Sequence, residues 1–140
     1  MPDSRCLMAF DFGDRWIGVA VGQQMLGRGS GAARLRAREG IPDWHEVAEL
    51  VETWRPDLFL VGLPLNMDGS ETELCRRARK FARRLHGRYH RHAEMVDERL
   101  TTHEAKQDLY RRGETPDHAR EGVDRRAAEL ILETWCAAQH

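Results

Sequence analysis

Short apolar runs bounded by glycine or polar residues predict the first strands of this 140-residue chain. Residues 5–11 and 15–22 are largely apolar, and Gly13 lies between them at a point where the chain can turn tightly. Such runs are typical of strands covered on both faces, and their closeness predicts an antiparallel hairpin. A glycine-rich segment at 25–33 predicts a weaker third strand, followed by a polar, basic connection at 34–41.

The rest of the chain alternates between helical patterns and short apolar runs. Helices are indicated where apolar residues recur at helical spacing behind a capping residue or a turn: about 43–55, 70–87, 101–112 and 122–138. Asp43 with Glu46, and Ser70 with Glu73, give the first two helices their N-terminal capping patterns. Two apolar runs between the helices predict further strands: 57–62 and 93–97.

The predicted order is three strands, then helix, strand, helix, strand and two helices. Strands that alternate with helices favour a parallel sheet with right-handed crossovers, and the opening meander adds an antiparallel part. The sequence therefore predicts an α/β fold with a mixed five-stranded sheet flanked by helices. The length and the lack of a linker-like segment predict one domain over residues 1–140.

Positive charge is unevenly distributed, although the net charge is only −1. Most of the 22 basic residues are arginine, and many of them crowd into two segments, 28–38 and 76–91. Basic residues on one predicted helix, with one arginine beyond it, are candidates for contacts with nucleic-acid phosphates: Arg76, Arg77, Lys80, Arg84 and Arg99. A solvated helix face without a ligand is the alternative interpretation.

The apolar runs are too short for a membrane protein. None approaches the roughly 20 apolar residues of a membrane span, and the first residues do not form a signal-peptide pattern. The three cysteines lack the spacing of metal ligands and are typical of reduced thiols. We therefore expect a cytoplasmic protein that does not associate with membranes.

Three acidic residues lie where a doubly wound sheet would gather them. Asp11 ends the first strand, Glu98 follows the last strand, and Asp124 lies near the start of the last helix. Ligand sites in such sheets lie at strand carboxyl ends, and three converging carboxylates would repel one another without a cation between them. Oxygen ligands without cysteine or patterned histidine suit Mg²⁺ or Mn²⁺, which can activate water for phosphodiester hydrolysis.

Each of these acids also has a simpler interpretation. Asp11 could cap the turn beside Gly13, and Glu98 could pair with a neighbouring arginine. Asp124 lies near a helix start, where the helix dipole favours an acid in any case. The sequence leaves both interpretations open for each acid.

A glycine-rich loop follows the strand at 57–62. Its backbone N–H groups, next to a helix N-terminus, form a candidate phosphate site whose residues are Gly62, Asn66 and Gly69. A tight turn without a ligand is the alternative. Arg99 could clamp a phosphate in bidentate fashion, or it could be a structural partner of Asp97.

Four blocks of this sequence resemble the YqgF family, also called RuvX, which comprises RNase H-like relatives of the RuvC Holliday-junction resolvase. The blocks are Asp11-Phe12-Gly13 with the segment 17–22, the loop 61–69, the segment 97–102, and Val123-Asp124 with Ala127-Ala128. They span nearly the whole chain in the order that the family has.

The resemblance implies an RNase H-like fold and a nuclease whose metal-holding catalytic acids are Asp11, Glu98 and Asp124. It implies Mg²⁺ or Mn²⁺ as cofactor. The implied substrate is pre-16S rRNA cut at its 5′ end, with ribosomal particles as partners, or branched DNA for a junction resolvase. Arg125 stands where the family usually has serine, and it could pair with Asp124 or reach phosphate. The oligomeric state stays open.

Two other classes of function remain open at this point. A catalytically silent adaptor on the nuclease fold would bind nucleic acid through its arginines, and salt-dependent RNA binding without cleavage would favour it. A phosphotransferase of the actin and sugar-kinase type has an opening similar to Asp11-Phe12-Gly13. This chain has residues for only one of the two lobes of that type, and tight ATP binding would favour it.

Overall fold

The computed structural model describes residues 5–99 and 116–139, with side chains described from Asp124 onward in the second range. The strands are β1 (Cys6–Asp11), β2 (Trp16–Gln23), β3 (Ser30–Arg38), β4 (Ile41–Pro42), β5 (Leu58–Leu63) and β6 (Ala93–Asp97). The helices are α1 (Trp44–Trp54), α2 (Glu73–Tyr89) and α3 (Pro116–Ala138). Within these residues, no helix is both long enough and apolar enough to cross a membrane.

The strands form one mixed sheet in the order β4-β3-β2-β1-β5-β6. Neighbours from β4 to β1 are antiparallel, whereas β1, β5 and β6 are parallel. The carboxyl ends of β1, β5 and β6 therefore meet at one edge of the sheet, which is where ligand sites of such folds lie.

Helices cover both faces of the sheet, which explains why β1 is apolar from Cys6 to Phe10. Met8 and Phe10 point into a core shared with α1 and α2, and Leu7 and Ala9 point into a second core shared with α3. Successive strand residues face opposite sides, so Asp11 continues the row of Leu7 and Ala9 on the face of α3.

The third strand lies later in the chain than the sequence predicts. β3 spans Ser30–Arg38 rather than 25–33, and residues 34–41 are strand and turn rather than a polar connection. The glycine-rich part forms the turn instead, with Gly27 at φ +65°. Along the strand, the buried Leu35 and Ala37 alternate with arginines, which is the two-residue period of a half-buried strand. The short β4 pairs with its end, so the sheet has six strands rather than five in the described residues.

Two helix starts also differ from the prediction. Thr72, not Ser70, caps α2 and accepts a hydrogen bond from the backbone N–H of Cys75, while Ser70 bonds Asp68 in the preceding turn. α3 begins at Pro116 rather than near 122, because proline is well suited to the first turn of a helix. The helix predicted over 101–112 lies outside the described residues.

Candidate active site

Two of the predicted acids meet at the carboxyl edge of the sheet. Asp11 is the last residue of β1, and Glu98 directly follows β6. The two side chains are hydrogen-bonded to each other, although β5 separates their strands. Glu98 is only 6% exposed, so its carboxyl group depends on the protein rather than on water for stabilisation.

Gly62 makes room for this pair. It lies on β5, between the two strands that carry the acids. A Cβ atom at this position would lie 2.6 Å from Oε2 of Glu98 and 2.6 Å from Cδ1 of Ile131 in α3. The backbone of Gly62 is not in the left-handed region, so its conformation does not require glycine. Glycine is needed here because any side chain would overlap the Glu98 carboxyl group.

The pKa values of both acids are raised well above their ordinary values. Burial and the charge of Asp11 raise the pKa of Glu98 to about 10, and its hydrogen bond to Asp11 acts in the same direction. Burial raises the pKa of Asp11 to about 7, and the charge of Asp124 adds to this effect. Glu98 therefore keeps its proton at neutral pH, and its O–H donates to Asp11, which removes the repulsion that two ionised carboxylates would have here.

This arrangement predicts that the metal-free protein loses stability as pH rises. Folding raises the pKa of Asp11 above 3.8 and the pKa of Glu98 above 4.5. The protons bound by the two acids therefore stabilise the folded state fully in acid, and this contribution is lost as pH rises through 7 toward 10. In EDTA at pH 8, Glu98→Gln should raise the free energy of unfolding by about 2 kcal/mol, because it removes the need for a buried proton. Thermal melts between pH 5 and 9 measure this.

The control for that experiment is Glu52→Gln, which changes an exposed acid on α1. The melting temperature of Glu52→Gln should fall with pH as steeply as that of the wild-type protein, whereas the melting temperature of Glu98→Gln should depend less on pH. A Glu98→Gln protein that is less stable than wild type at pH 8 would show that the carboxyl group is better accommodated than its burial implies.

The third acid, Asp124, is held by an arginine. Its Oδ2 accepts a hydrogen bond of 2.6 Å from Nε of Arg34, whose guanidinium lies 3.8 Å from the centre of the Trp16 ring. Asp11, Gly18 and Arg34 are directly opposite one another on β1, β2 and β3. The backbone of α3 at Asp124 packs onto Gly18, so Asp124 lies between Asp11 on one side and Arg34 on the other.

Arg34 is a site residue that the sequence interpretation did not identify. The signal that could have found it is the alternation of Leu35 and Ala37 with arginines, which places Arg34 on the same face as Asp11 once the segment is recognised as a strand. Arg125, which the sequence suggested as a partner for Asp124, is exposed, and its side-chain stem lies against Gly31.

The acids fit a divalent cation in part. Among the described residues, no group of three or more Asp, Glu, His or Cys side chains is arranged to hold a metal ion. Asp11 and Glu98 do provide adjacent oxygen donors whose shared proton a cation could replace, in a space that a glycine keeps open. Asp124, whose Oδ2 is hydrogen-bonded to Arg34, is the third acid that could join them.

The glycine-rich loop uses its own backbone donors. The N–H groups of Leu65, Asn66, Gly69 and Ser70 donate to Leu63, Ser70, Asn66 and Asp68 in turn. Gly69 has φ +88°, which favours glycine. These contacts favour the alternative of a tight turn over a phosphate site built on Gly62, Asn66 and Gly69.

The predicted nucleic-acid contacts divide into two groups. Three of the five residues already have carboxylate partners: Arg76 pairs with Glu73, Arg77 with Asp14 at 2.7 Å, and Arg99 with Asp97 at 2.8 Å. Lys80 and Arg84 make no ion pair within the described residues and lie on the surface of α2 beside Phe81. The contact of Arg99 is the structural partnership with Asp97 that the sequence left open.

Proteins of similar sequence have a shared name. A protein of Marinobacter nauticus named "Putative pre-16S rRNA nuclease" is 61% identical over 138 residues, which cover 99% of this chain and 96% of that protein. Proteins with the same name from Pectobacterium atrosepticum and Chromohalobacter salexigens are 52% and 53% identical. They cover 98% and 95% of this chain, and 99% and 90% of their own lengths.

A RuvC protein and a Holliday junction resolvase are among the solved structures of similar fold. Thermus thermophilus RuvC in complex with a Holliday junction superposes with a TM-score of 0.55 at 15% identity, covering 96% of this chain and 95% of that one. The yeast mitochondrial Holliday junction resolvase Ydc2 also gives 0.55, at 13% identity, over 98% of this chain and 79% of its own. These similarities concern the fold and confirm the predicted RNase H-like architecture.

A protein-family model matches nearly the whole chain. The model described as "RuvX: Holliday junction resolvase" matches residues 5–138. That range contains β1 with Asp11, β6 with Glu98 behind it, and α3 with Asp124. Together with relatives that are more than half identical over almost their full lengths, the match shows that this chain belongs to the RuvX family.

Proposed function

We propose that this chain is a metal-dependent endonuclease that matures the 5′ end of pre-16S rRNA during ribosome biogenesis in the cytoplasm. Membership of the RuvX family and relatives named as nucleases support phosphodiester hydrolysis. The name shared by those relatives supports pre-16S rRNA as the substrate. The protein would encounter this RNA in precursor ribosomal particles, which are therefore its proposed partners.

One observation of the structure carries the proposal. Asp11 and Glu98 come from strands on opposite sides of β5, yet their carboxyl groups touch in a space cleared by Gly62. Burying two acids in contact is unfavourable unless the site is used with a positive charge. A purely structural role would be met better by a neutral pair, so the arrangement favours a site for a cation.

The acids have distinct tasks in this proposal. Asp11 and Glu98 would hold Mg²⁺ or Mn²⁺, and Asp124, which pairs with Arg34, would join them. An ion bound there would supply the Lewis acidity that activates water and stabilises the departing oxygen of the phosphodiester. For this, Glu98 must release the proton that it donates to Asp11, so cation binding should become tighter as pH rises.

The test is a cleavage assay that compares substrates. Pre-16S rRNA, alone and in precursor particles, a four-way DNA junction and an unstructured RNA would be incubated with Mg²⁺ or Mn²⁺. We expect metal-dependent cutting near the 5′ end of the mature 16S sequence and little cutting of the unstructured RNA. Salt-sensitive binding without cleavage in any metal would instead support the silent adaptor.

Junction resolution is the second candidate function. The description of the family model favours it, and so does the fold shared with RuvC. The same assay separates the two candidates, because a resolvase would cut the four-way junction in preference to pre-16S rRNA. The proposed acids would be the same in both reactions.

A further inference from the structure

Two adjoining cavities of the described chain are lined largely by basic residues. One, of about 560 Å³, is lined by the turn after β1 and the end of β3, and the other, of about 210 Å³, is lined by the turn after β3 and by α2. Both include Glu39 and Arg77 in their lining. We call the two cavities together the basic groove.

The groove carries far more positive than negative charge. Its acids are Glu39 and Asp14, and Asp14 is already paired with Arg77. Among the side chains of residues 5–99 and 124–139, no carboxylate pairs with six of its cations: Arg15, Arg36, Arg38, Lys80, Arg83 and Arg84. Cations that converge without partners repel one another, and a bound polyanion would relieve this repulsion.

Backbone structure brings the two halves together. Arg36 and Arg38 point away from the core because Leu35 and Ala37 fill it. The chain then turns at Gly40, which has φ +80° and lies against the ring of Phe12. The amide of Gly40 donates to the carbonyl of Asp14, so the end of β3 is attached to the turn that follows Asp11.

The groove is also linked to the strand that carries Asp11. Asp14 lies three residues after Asp11, and its ion pair with Arg77 joins the turn after β1 to α2. Phosphates in the two cavities would therefore lie on either side of Arg77, which lines both. A nucleic acid carries phosphates at regular short intervals, so neighbouring phosphates could occupy the two cavities at the same time.

We propose that the phosphate backbone of the nucleic-acid substrate occupies both halves of the basic groove, with Arg36 and Arg38 of β3 contributing as much as Lys80 and Arg84 of α2. The proposal rests on the proposed nuclease function for the identity of the polyanion. It extends the predicted contacts from one helix to a strand that the sequence pattern had left as a connection.

The test is RNA binding in EDTA, where no cleavage occurs. A fluorescently labelled RNA hairpin would be titrated by anisotropy at several salt concentrations with Arg36→Gln/Arg38→Gln and with Lys80→Gln/Arg84→Gln. Each double variant should bind about tenfold more weakly and lower the slope of log affinity against log salt by about two. The matched control is Arg28→Gln/Arg55→Gln, which removes two exposed arginines outside the groove and should stay within about twofold to threefold of wild type.

Other outcomes overturn the proposal in recognisable ways. If the β3 variant behaves like the control while the α2 variant loses affinity, β3 is not part of the surface. If both behave like the control, or if the wild-type protein does not bind the hairpin, the groove is not the binding site. Thermal melts establish that the variants fold. A wild-type protein that binds as described but never cuts RNA would contradict the proposed function and leave the groove intact.

Discussion

Asp11→Asn is expected to reduce cleavage of the preferred substrate by at least about 1,000-fold. Asn keeps the size of the side chain and one oxygen, but it loses the negative charge at the end of β1. Glu98 would then lack the carboxylate that accepts its proton and shares its cation. The measurement is the single-turnover cleavage rate with Mg²⁺ or Mn²⁺ in excess over wild-type and variant protein.

Two comparisons make the result specific. Asp43→Asn is the matched control, since Asp43 caps α1 and asparagine caps helices equally well, so its cleavage rate should stay within about twofold of wild type. RNA binding by Asp11→Asn in EDTA should be preserved, because the substitution removes negative charge near a polyanion. Cleavage by purified Asp11→Asn at more than about a tenth of the wild-type rate would refute the assignment of Asp11 as a metal-holding acid.

Gly18→Ala is expected to destabilise the fold by about 3 kcal/mol. A Cβ atom on Gly18 would overlap the carbonyl oxygen of Asp124 and lie 3.2 Å from the backbone nitrogen of Arg125. These are backbone atoms of α3, which cannot rotate away as the end of a flexible side chain could. The helix would have to move off the sheet, and urea unfolding monitored by circular dichroism would measure the loss.

Gly87→Ala is the matched control for this substitution. Gly87 lies inside α2, and a Cβ atom there would meet nothing within 4 Å. Alanine should therefore stabilise the protein by about 0.5 to 1 kcal/mol through its higher helix propensity. Gly18→Ala should also lower cleavage, because Asp124 moves with the helix. A Gly18→Ala protein as stable as wild type would mean that α3 does not contact β2 closely at this point.

Sequence patterns predicted most of the elements because those elements depend on local rules. The strands β1, β2, β5 and β6 lie within one or two residues of the predicted runs, since a short apolar run bounded by breakers has few other solutions. β3 was misplaced because its glycines suggested a strand, whereas the structure uses them in and around a turn. The segment 34–38 has only two buried apolar residues, Leu35 and Ala37, between three arginines, so its strand period is weak in the sequence.

The candidate site was predicted in part. The contact between Asp11 and Glu98 follows from parallel strands that end at one edge, which the order of elements implies. The attachment of Asp124 to Arg34 did not follow, because it depends on the register of β2 with β3 and on the position of α3 over Gly18. Register is set by contacts between residues far apart in the chain, and a single sequence does not display them.

The sequence by itself determined which segments form strands and which form helices. It also determined that β1 is covered on both faces and that acids stand at the ends of β1 and β6. These follow from hydrophobic period, capping and the chemistry of each residue. Only the tertiary structure decided which charges meet. It brought the carboxyl groups of Asp11 and Glu98 into contact, paired Arg34 with Asp124, and placed Arg36 and Arg38 of β3 in a cavity that Arg77 of α2 also lines. Electrostatic energy depends on distance in space and on burial, and both are created by folding.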